Sequence, residues 1–214
     1  MKNILLISDG IPGHFNQSKG VASILSKTHP SNIHLTELSF KIHQLRGLIT
    51  VFSRILMRLP NKLTANLVSF MYSSIETNGI DLIIAAGGKT APYSAAIKVL
   101  NNIPVIQLGS PRGLHSSLFN ALVTVERYYE DSSNIIASIT PNLYSPEICS
   151  KAATKKNLSE HLLFLIGGEG IGYAYKDQEW TSLVASIRNL YSKTSLPITI
   201  VTSRRSDPKV ENIL

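Results

Sequence analysis

Short solid runs of apolar residues alternate along this chain with stretches whose apolar positions recur every three or four residues. Ile4–Ile7 is the first solid run, ended by Ser8, Asp9 and Gly10, and it reads as a strand buried on both faces. A loop rich in Gly and Pro follows, then a helix over 17–27 and an alternating strand over Ile33–Leu38. Between 41 and 59 the apolar residues fall at 45, 48, 49, 52, 55, 56 and 59, which is helical spacing, and Pro60 ends the run. A further helix over 61–76 leads to a strand at Leu82–Ala86, a helix at Ala91–Leu100 and a strand at Pro104–Leu108. Ala121–Val125 and Ile135–Ile139 are two more short strands. Strand and helix alternating through short turns predict a doubly wound parallel sheet.

Residues 149–160 are polar and lysine-rich, and read as a linker or a surface helix. The pattern then restarts: a strand at Leu162–Ile166, a Gly167-Gly168 turn, a helix over 177–192 and a strand at Ile198–Thr202. The expected organisation is an N-terminal Rossmann-like domain over 1–148, a linker over 149–160, and over 161–214 the beginning of a second α/β domain. Three elements are too few for a whole domain of that kind, so the second lobe is expected to be incomplete.

Composition narrows this picture. With 214 residues, 43% of them hydrophobic and 16% charged, the chain can bury a core, which excludes a disordered or collagen-like chain. Cys149 is the only cysteine, so no intramolecular disulfide can form, which fits a reducing cytoplasm. The N-terminal apolar run is too short for a signal peptide, and no segment approaches the roughly 20 apolar residues of a membrane-spanning helix. The net charge of +7 is unevenly placed: residues 1–120 hold eleven cations and four acids, and residues 121–214 hold ten of each. No nucleic-acid-binding motif accompanies the basic half, so no nucleic-acid partner is expected.

The chemistry-bearing residues cluster in the turns after strands, where open α/β sheets bind ligands. The first turn, SDGIPGHFNQSKG (8–20), brings together Asp9, Gly10, Gly13, His14, Asn16 and Gln17. Glycine allows close backbone approach, a helix N-terminus favours an anion, and histidine is a base that titrates near neutrality. Its glycines do not have the dinucleotide-binding G-x-G-x-x-G spacing, and the plainer alternative is a tight turn with a capping residue. The second turn, AAGGKTAPYSAA (85–96), sets Gly87, Gly88, Lys89 and Thr90 before a helix; it is no P-loop, because Ile83 stands where that motif needs glycine. The third, IQLGSPRG (106–113), carries Gln107, Ser110 and Arg112, whose planar fork suits a carboxylate or phosphate. LIGGEGIG (165–172) and TSRRS (202–206) end the last two strands. The six histidines are scattered, with no C-x-x-C, H-E-x-x-H or G-x-S-x-G, so no metal site is expected.

Residues 38–75 contain no acid and five cations, Lys41, Arg46, Arg54, Arg58 and Lys62. On a helical wheel Arg46, Arg54 and Arg58 lie opposite the apolar stripe of the 41–59 helix. Such a helix rests on an anionic membrane surface or covers the sheet with its arginines in water; both readings stand at this point.

Taken in order, SDGIPGHFNQSKG, GGKTAP, IQLGSPR, LIGGEG and TSRR resemble the mitochondrial-fission ELM family, whose opening motif is similar to D-G-x-P-G-H-x-N-Q and whose bacterial members are often described as nucleoside-diphosphate-sugar enzymes or glycosyltransferases. Tyr128-Tyr129-Glu130 stands where that family often shows P-x-H-D. The resemblance implies an α/β, GT-B-like fold: a Rossmann-like doubly wound parallel sheet with the start of a second α/β lobe. It implies transfer of a sugar from a nucleoside-diphosphate sugar to a lipid-linked or cell-envelope acceptor, with no cofactor. His14 would then be the catalytic residue. Asp9, Gly10, Gly13, Asn16, Gln17, Gly87, Gly88, Lys89, Thr90 and Arg112 would bind substrate, and Gly167, Gly168, Ser203 and Arg204 the donor phosphates. The expected location is cytoplasmic and peripheral on the inner membrane face, through residues 41–62. The alternative is a non-catalytic, membrane-peripheral adaptor that retains the fold.

Overall fold

The structure, a computed structural model, describes residues 1–153, 160–168, 174–203 and 206. The chain divides into two compact units, Met1–Ser145 and Pro146–Leu214.

The first unit is built on six strands: β1 (Lys2–Ser8), β2 (Ser31–Glu37), β3 (Leu82–Ala86), β4 (Val105–Leu108), β5 (Ala121–Thr124) and β6 (Asn134–Ile136). All pair in parallel, in the order β2-β1-β3-β4-β5-β6. Successive residues of β1 serve opposite faces, as the two-residue period of a strand requires. Ile4 and Leu6 pack with Ala22, Ile84, Ala86 and Leu108 under α1 (Pro12–Thr28). Leu5 and Ile7 pack with Ile83, Ala85, Tyr72 and Tyr93 on the other face. That face is covered by α2 (Arg46–Leu56), α3 (Lys62–Met71) and α4 (Ala91–Asn101). Both faces being covered explains why β1 and β3 read as unbroken apolar runs. Truncating Leu6 or Ile84, each 0% exposed, to Ala costs about 2–5 kcal/mol.

Several boundaries differ from the pattern, each for a local reason. α1 begins at Pro12 rather than at 17, because proline in the first turn lacks only an N–H that would have no partner there. His14, Asn16 and Gln17 are therefore helical. The 41–59 stretch is a 3-10 turn (His43–Leu45) followed by α2, and α3 stops at Met71, where Phe40 and Tyr72 bridge as an antiparallel pair. Asn61 starts α3 with a capping box: its side chain accepts from Thr64 N at 3.0 Å, and Asn61 N donates to Thr64 Oγ1 at 3.0 Å. The largest departure is the orientation of α2. Of the stripe at 45, 48, 49, 52, 55, 56 and 59, only Ile49 is buried; the core side of the helix is Ile49, Thr50 and Ser53, with Met57 just beyond its end. α2 covers the sheet, but through Ile49, Thr50 and Ser53 rather than through the whole stripe, with Ser53 and Thr50 packed toward the buried Tyr72 phenol.

The second unit contains α5 (Pro146–Ala153), β7 (Leu162–Leu165), α6 (Asp177–Thr194) and β8 (Ile198–Val201), with β7 and β8 parallel. Among the described residues Ile166, Trp180 and Ile187 are its buried apolar residues, and Phe164, Tyr175, Leu183 and Ile200 pack around Ile166 and Trp180. Asp177 and Glu179 in the first turn of α6 and Lys193 in its last complement the helix dipole.

Candidate functional site

The strand order of the first unit runs outward from β1 in two directions, to β2 on one side and β3 on the other. That reversal opens a crevice at the carboxyl ends of β1 and β3, the place where doubly wound sheets take ligands. The turns after β1 and β3 meet there.

At the end of β1, Asp9 turns its carboxylate inward; the side chain is only 3% exposed. One of its oxygens accepts from Ile11 N at 3.2 Å, and both lie 3.0 Å from His14 Nδ1. The His14 side chain is 31% exposed. A carboxylate can only accept, so in the neutral imidazole the bond places the proton on Nδ1 and leaves Nε2 with its lone pair. Asp9 thus fixes the orientation and tautomer of the His14 ring.

The β3 turn is shaped around this pair. Gly87 has φ +90°, and a β-carbon there would fall on the His14 ring and meet Asp9 Oδ2 at 3.0 Å. Gly88 is matched in the same way to Arg112, whose side chain fills the space a β-carbon would need. Gln107, wholly buried in β4, holds the turn from beneath: its Nε2 donates to Gly87 O at 3.1 Å, and its Oε1 accepts from Ser94 Oγ at 3.3 Å.

Arg112 reaches Gly88 from the β4 turn, with its own backbone at φ +56° and its N–H donating to Ser110 Oγ at 3.3 Å. Arg54 reaches the same glycine from α2, donating Nη2 to Gly88 O at 3.3 Å, while its Nε is buried without a hydrogen-bond partner. Burial first, and the neighbouring Arg112 charge second, lower the Arg54 pKa, and Tyr72 partly offsets them. Neither arginine has a carboxylate partner among the described residues. Two guanidinium groups therefore meet at Gly88 without an acid between them.

His14, Gln17, Gly87, Gly88, Ser110, Arg112, Thr124 and Thr140 line a cleft of about 200 Å³. A second hollow of about 330 Å³, between the ends of β1 and β2, holds Gly10, Ile11, Phe15 and Glu37. The expected residues therefore separate. His14, Asp9, Gln17, Gly87, Gly88 and Arg112 come together, with Asp9 behind the histidine. Gly10 faces the other hollow, and Gly13 and Asn16 are exposed on α1. Lys89 is exposed at the β3 turn, whereas Thr90 is fully buried, its hydroxyl 3.0 and 2.8 Å from the carbonyls of Ala86 and Gly87. Thr90 holds the turn rather than facing the cleft.

Arg54 and the supporting role of Gln107 escape the sequence reading. The acid-free stretch around Arg54 was a signal, but a wheel places Arg54 among the solvated arginines and cannot show its reach to Gly88. The Tyr128-Tyr129-Glu130 stretch braces the loops beside the cleft. Tyr129 donates its hydroxyl to Leu114 O at 2.7 Å, and burial, aided by Asp131, pushes its pKa up to about 12. Asn134 Oδ1 accepts from the N–H groups of Tyr128 and Tyr129 at 2.7 and 3.0 Å, fixing that loop.

In the second unit, Gly167 and Gly168 follow β7 and Ser203 follows β8, so the parallel pairing sets them at one end of the two strands. Ser203 N donates to Ser206 Oγ at 3.1 Å. Arg204 and residues 169–172 lie outside the described residues. Among the described residues no three His, Cys, Asp or Glu side chains gather to hold a metal.

The family model described as mitochondrial fission ELM1 matches residues 12–214. No curated protein matches in sequence. Among solved structures, the UDP-GlcNAc 2-epimerase from Methanocaldococcus jannaschii aligns with 100% of this chain and 68% of its own, at TM-score 0.54 and 12% identity. The spinosyn rhamnosyltransferase SpnG complexed with thymidine diphosphate aligns at TM-score 0.41 and 9% identity, over 100% and 68% of the two chains. The substrate-binding protein CD0873 from Clostridium difficile aligns at 0.30 and 9%, over 99% and 60%. The epimerase likeness shows the fold, a Rossmann-like α/β arrangement of the GT-B kind. Fold alone does not choose among chemistries.

Proposed function

The chain belongs to the mitochondrial fission ELM1 family, and on that premise we propose that it transfers a sugar from a nucleoside-diphosphate sugar to a lipid-linked or cell-envelope acceptor. The observation that carries this reading is the Asp9–His14 pair at the β1–β3 crevice, with His14 lining a cleft that also presents Arg112. An acceptor hydroxyl in that cleft attacks the anomeric carbon of the donor. The bond from that carbon to the diphosphate oxygen breaks, the nucleoside diphosphate leaves with the electron pair, and the hydroxyl proton passes to His14 Nε2. Asp9 stabilises the resulting imidazolium. A positioned base of this kind contributes about 10²–10⁴-fold to rate. Gly87, Gly88, Lys89 and Arg112 would meet the acceptor side. Gly167, Gly168 and Ser203, which follow the second unit's strands, would meet the donor phosphates together with Arg204. The test is a panel of uridine, guanosine and cytidine diphosphate sugars in thermal-shift and nucleoside-diphosphate-release assays: stabilisation and turnover by one of them supports the reading.

A second reading, a non-catalytic membrane-peripheral adaptor, is favoured by one observation, the outward apolar side of α2. Silence across the whole sugar-nucleotide panel together with vesicle binding would select it.

A further inference from the structure

α2 and α3 both turn their larger apolar side chains away from the core. On α2, Leu48, Val51, Phe52 and Ile55 are each more than half exposed, while Thr50 and Ser53 are buried. On α3, Ala65 and Val68 are buried, while Leu63, Leu67 and Phe70 are 70%, 46% and 72% exposed. The exposed positions recur at three- and four-residue spacing, so each helix presents one continuous stripe rather than scattered residues. Isolated exposed leucines are ordinary; two such stripes on consecutive, mutually packed helices are a docking face. Leu63, Leu67 and Phe70 also border a shallow hollow with Lys41, whose Nζ lies 4.1 Å over the Phe70 ring.

We propose that this face of α2 and α3 docks on the surface of an anionic lipid bilayer. Charge decides the occupant. Lys41, whose Nζ lies over the exposed Phe70 ring, and Lys62, beside Leu63 in the first turn of α3, are exposed with these stripes, and no acid occurs between Leu38 and Ile75. A second copy of the chain docking here would set cations against cations with no carboxylate to answer them. A bilayer rich in anionic headgroups supplies the complementary charge and takes up the apolar side chains. No helix among the described residues is long and apolar enough to cross a membrane, and the docking proposed is interfacial: the stripes enter the headgroup boundary while the cations stay with the phosphates. The face owes nothing to the reading of the cleft.

Flotation of the full chain with vesicles tests this. The wild type binds vesicles of phosphatidylglycerol and phosphatidylcholine at low salt, and binds pure phosphatidylcholine far more weakly. The double substitution Phe52→Ser/Leu67→Ser lowers binding at least about tenfold. Each of Lys41→Gln and Lys62→Gln lowers it about fivefold. All four side chains are exposed, so thermal melts should match the wild type. Three results would each overturn the proposal: no flotation at low salt; binding that survives Phe52→Ser/Leu67→Ser; or, without vesicle binding, a dimer in light scattering that this double variant dissociates. The sugar-nucleotide thermal shift is read separately, so failure of the docking face and failure of the cleft are distinguishable.

Discussion

His14 Nδ1 lies 3.0 Å from both carboxylate oxygens of Asp9, although Asp9 directly follows β1 and His14 belongs to the first turn of α1. The contact exists because Pro12 starts the helix early and because residue 87, on the next strand's turn, is glycine. An imidazole and the carboxylate that orients it are thereby fixed to rigid elements at the sheet's crevice.

Gly87 should therefore tolerate no side chain. Gly87→Ala is expected to cost about 1–3 kcal/mol, from a β-carbon at positive φ, and to push the His14 ring off Asp9. Urea denaturation reads the first effect and the imidazole resonances of His14 the second. A Gly87→Ala variant with unchanged stability and unchanged His14 resonances would contradict the fit described here.

The Arg54–Arg112 pair predicts anion-dependent stability. Inorganic pyrophosphate should raise the melting temperature of the wild type, by about 2.7 kcal/mol of stability at a hundredfold excess over its dissociation constant. Arg112→Ala should abolish that gain. Without anion the same variant should be no less stable than wild type, because it removes a like charge beside Arg54. An undiminished pyrophosphate shift in Arg112→Ala would remove Arg112 from the site.

Tyr129 predicts a change in alkaline stability. Its folded pKa of about 12 lies above the ordinary value of 10.0. Its contribution is therefore fully present below pH 10 and is lost as pH rises from about 10 to 12. Tyr129→Phe should be less stable than wild type at pH 8, with the difference narrowing across that window. Absorbance titration should show one fewer late-ionising tyrosine. A stability gap that stays constant from pH 8 to 12 would argue against the Tyr129–Leu114 bond as its source.

Much of the sheet was legible because strands buried on both faces leave unbroken apolar runs, as at Ile4–Ile7 and Leu82–Ala86. Asp9 and His14 were legible as neighbours because they share one short turn. Periodicity grouped the apolar residues of the 41–59 helix into one stripe, which the structure splits, Ile49 turning inward and Leu48, Phe52 and Ile55 outward. It could not show which side meets the core, because close packing favours small Thr50 and Ser53 over the larger leucines. Arg54 and Arg112 stand far apart in sequence and meet only through the bare backbone of Gly88. The close fit of Gly87 to His14 likewise depends on two strand ends meeting in space, and nothing in either turn announces it.

The most direct measurement is nucleoside-diphosphate release from the sugar-nucleotide panel by the full chain, with acceptor supplied as bacterial envelope lipids. Wild type should turn over one donor, His14→Ala should lose about 10²–10⁴-fold in kcat, and Asp9→Asn should fall in the same direction with its fold intact. Turnover that is equal in wild type and His14→Ala would contradict the assignment of His14 as the base.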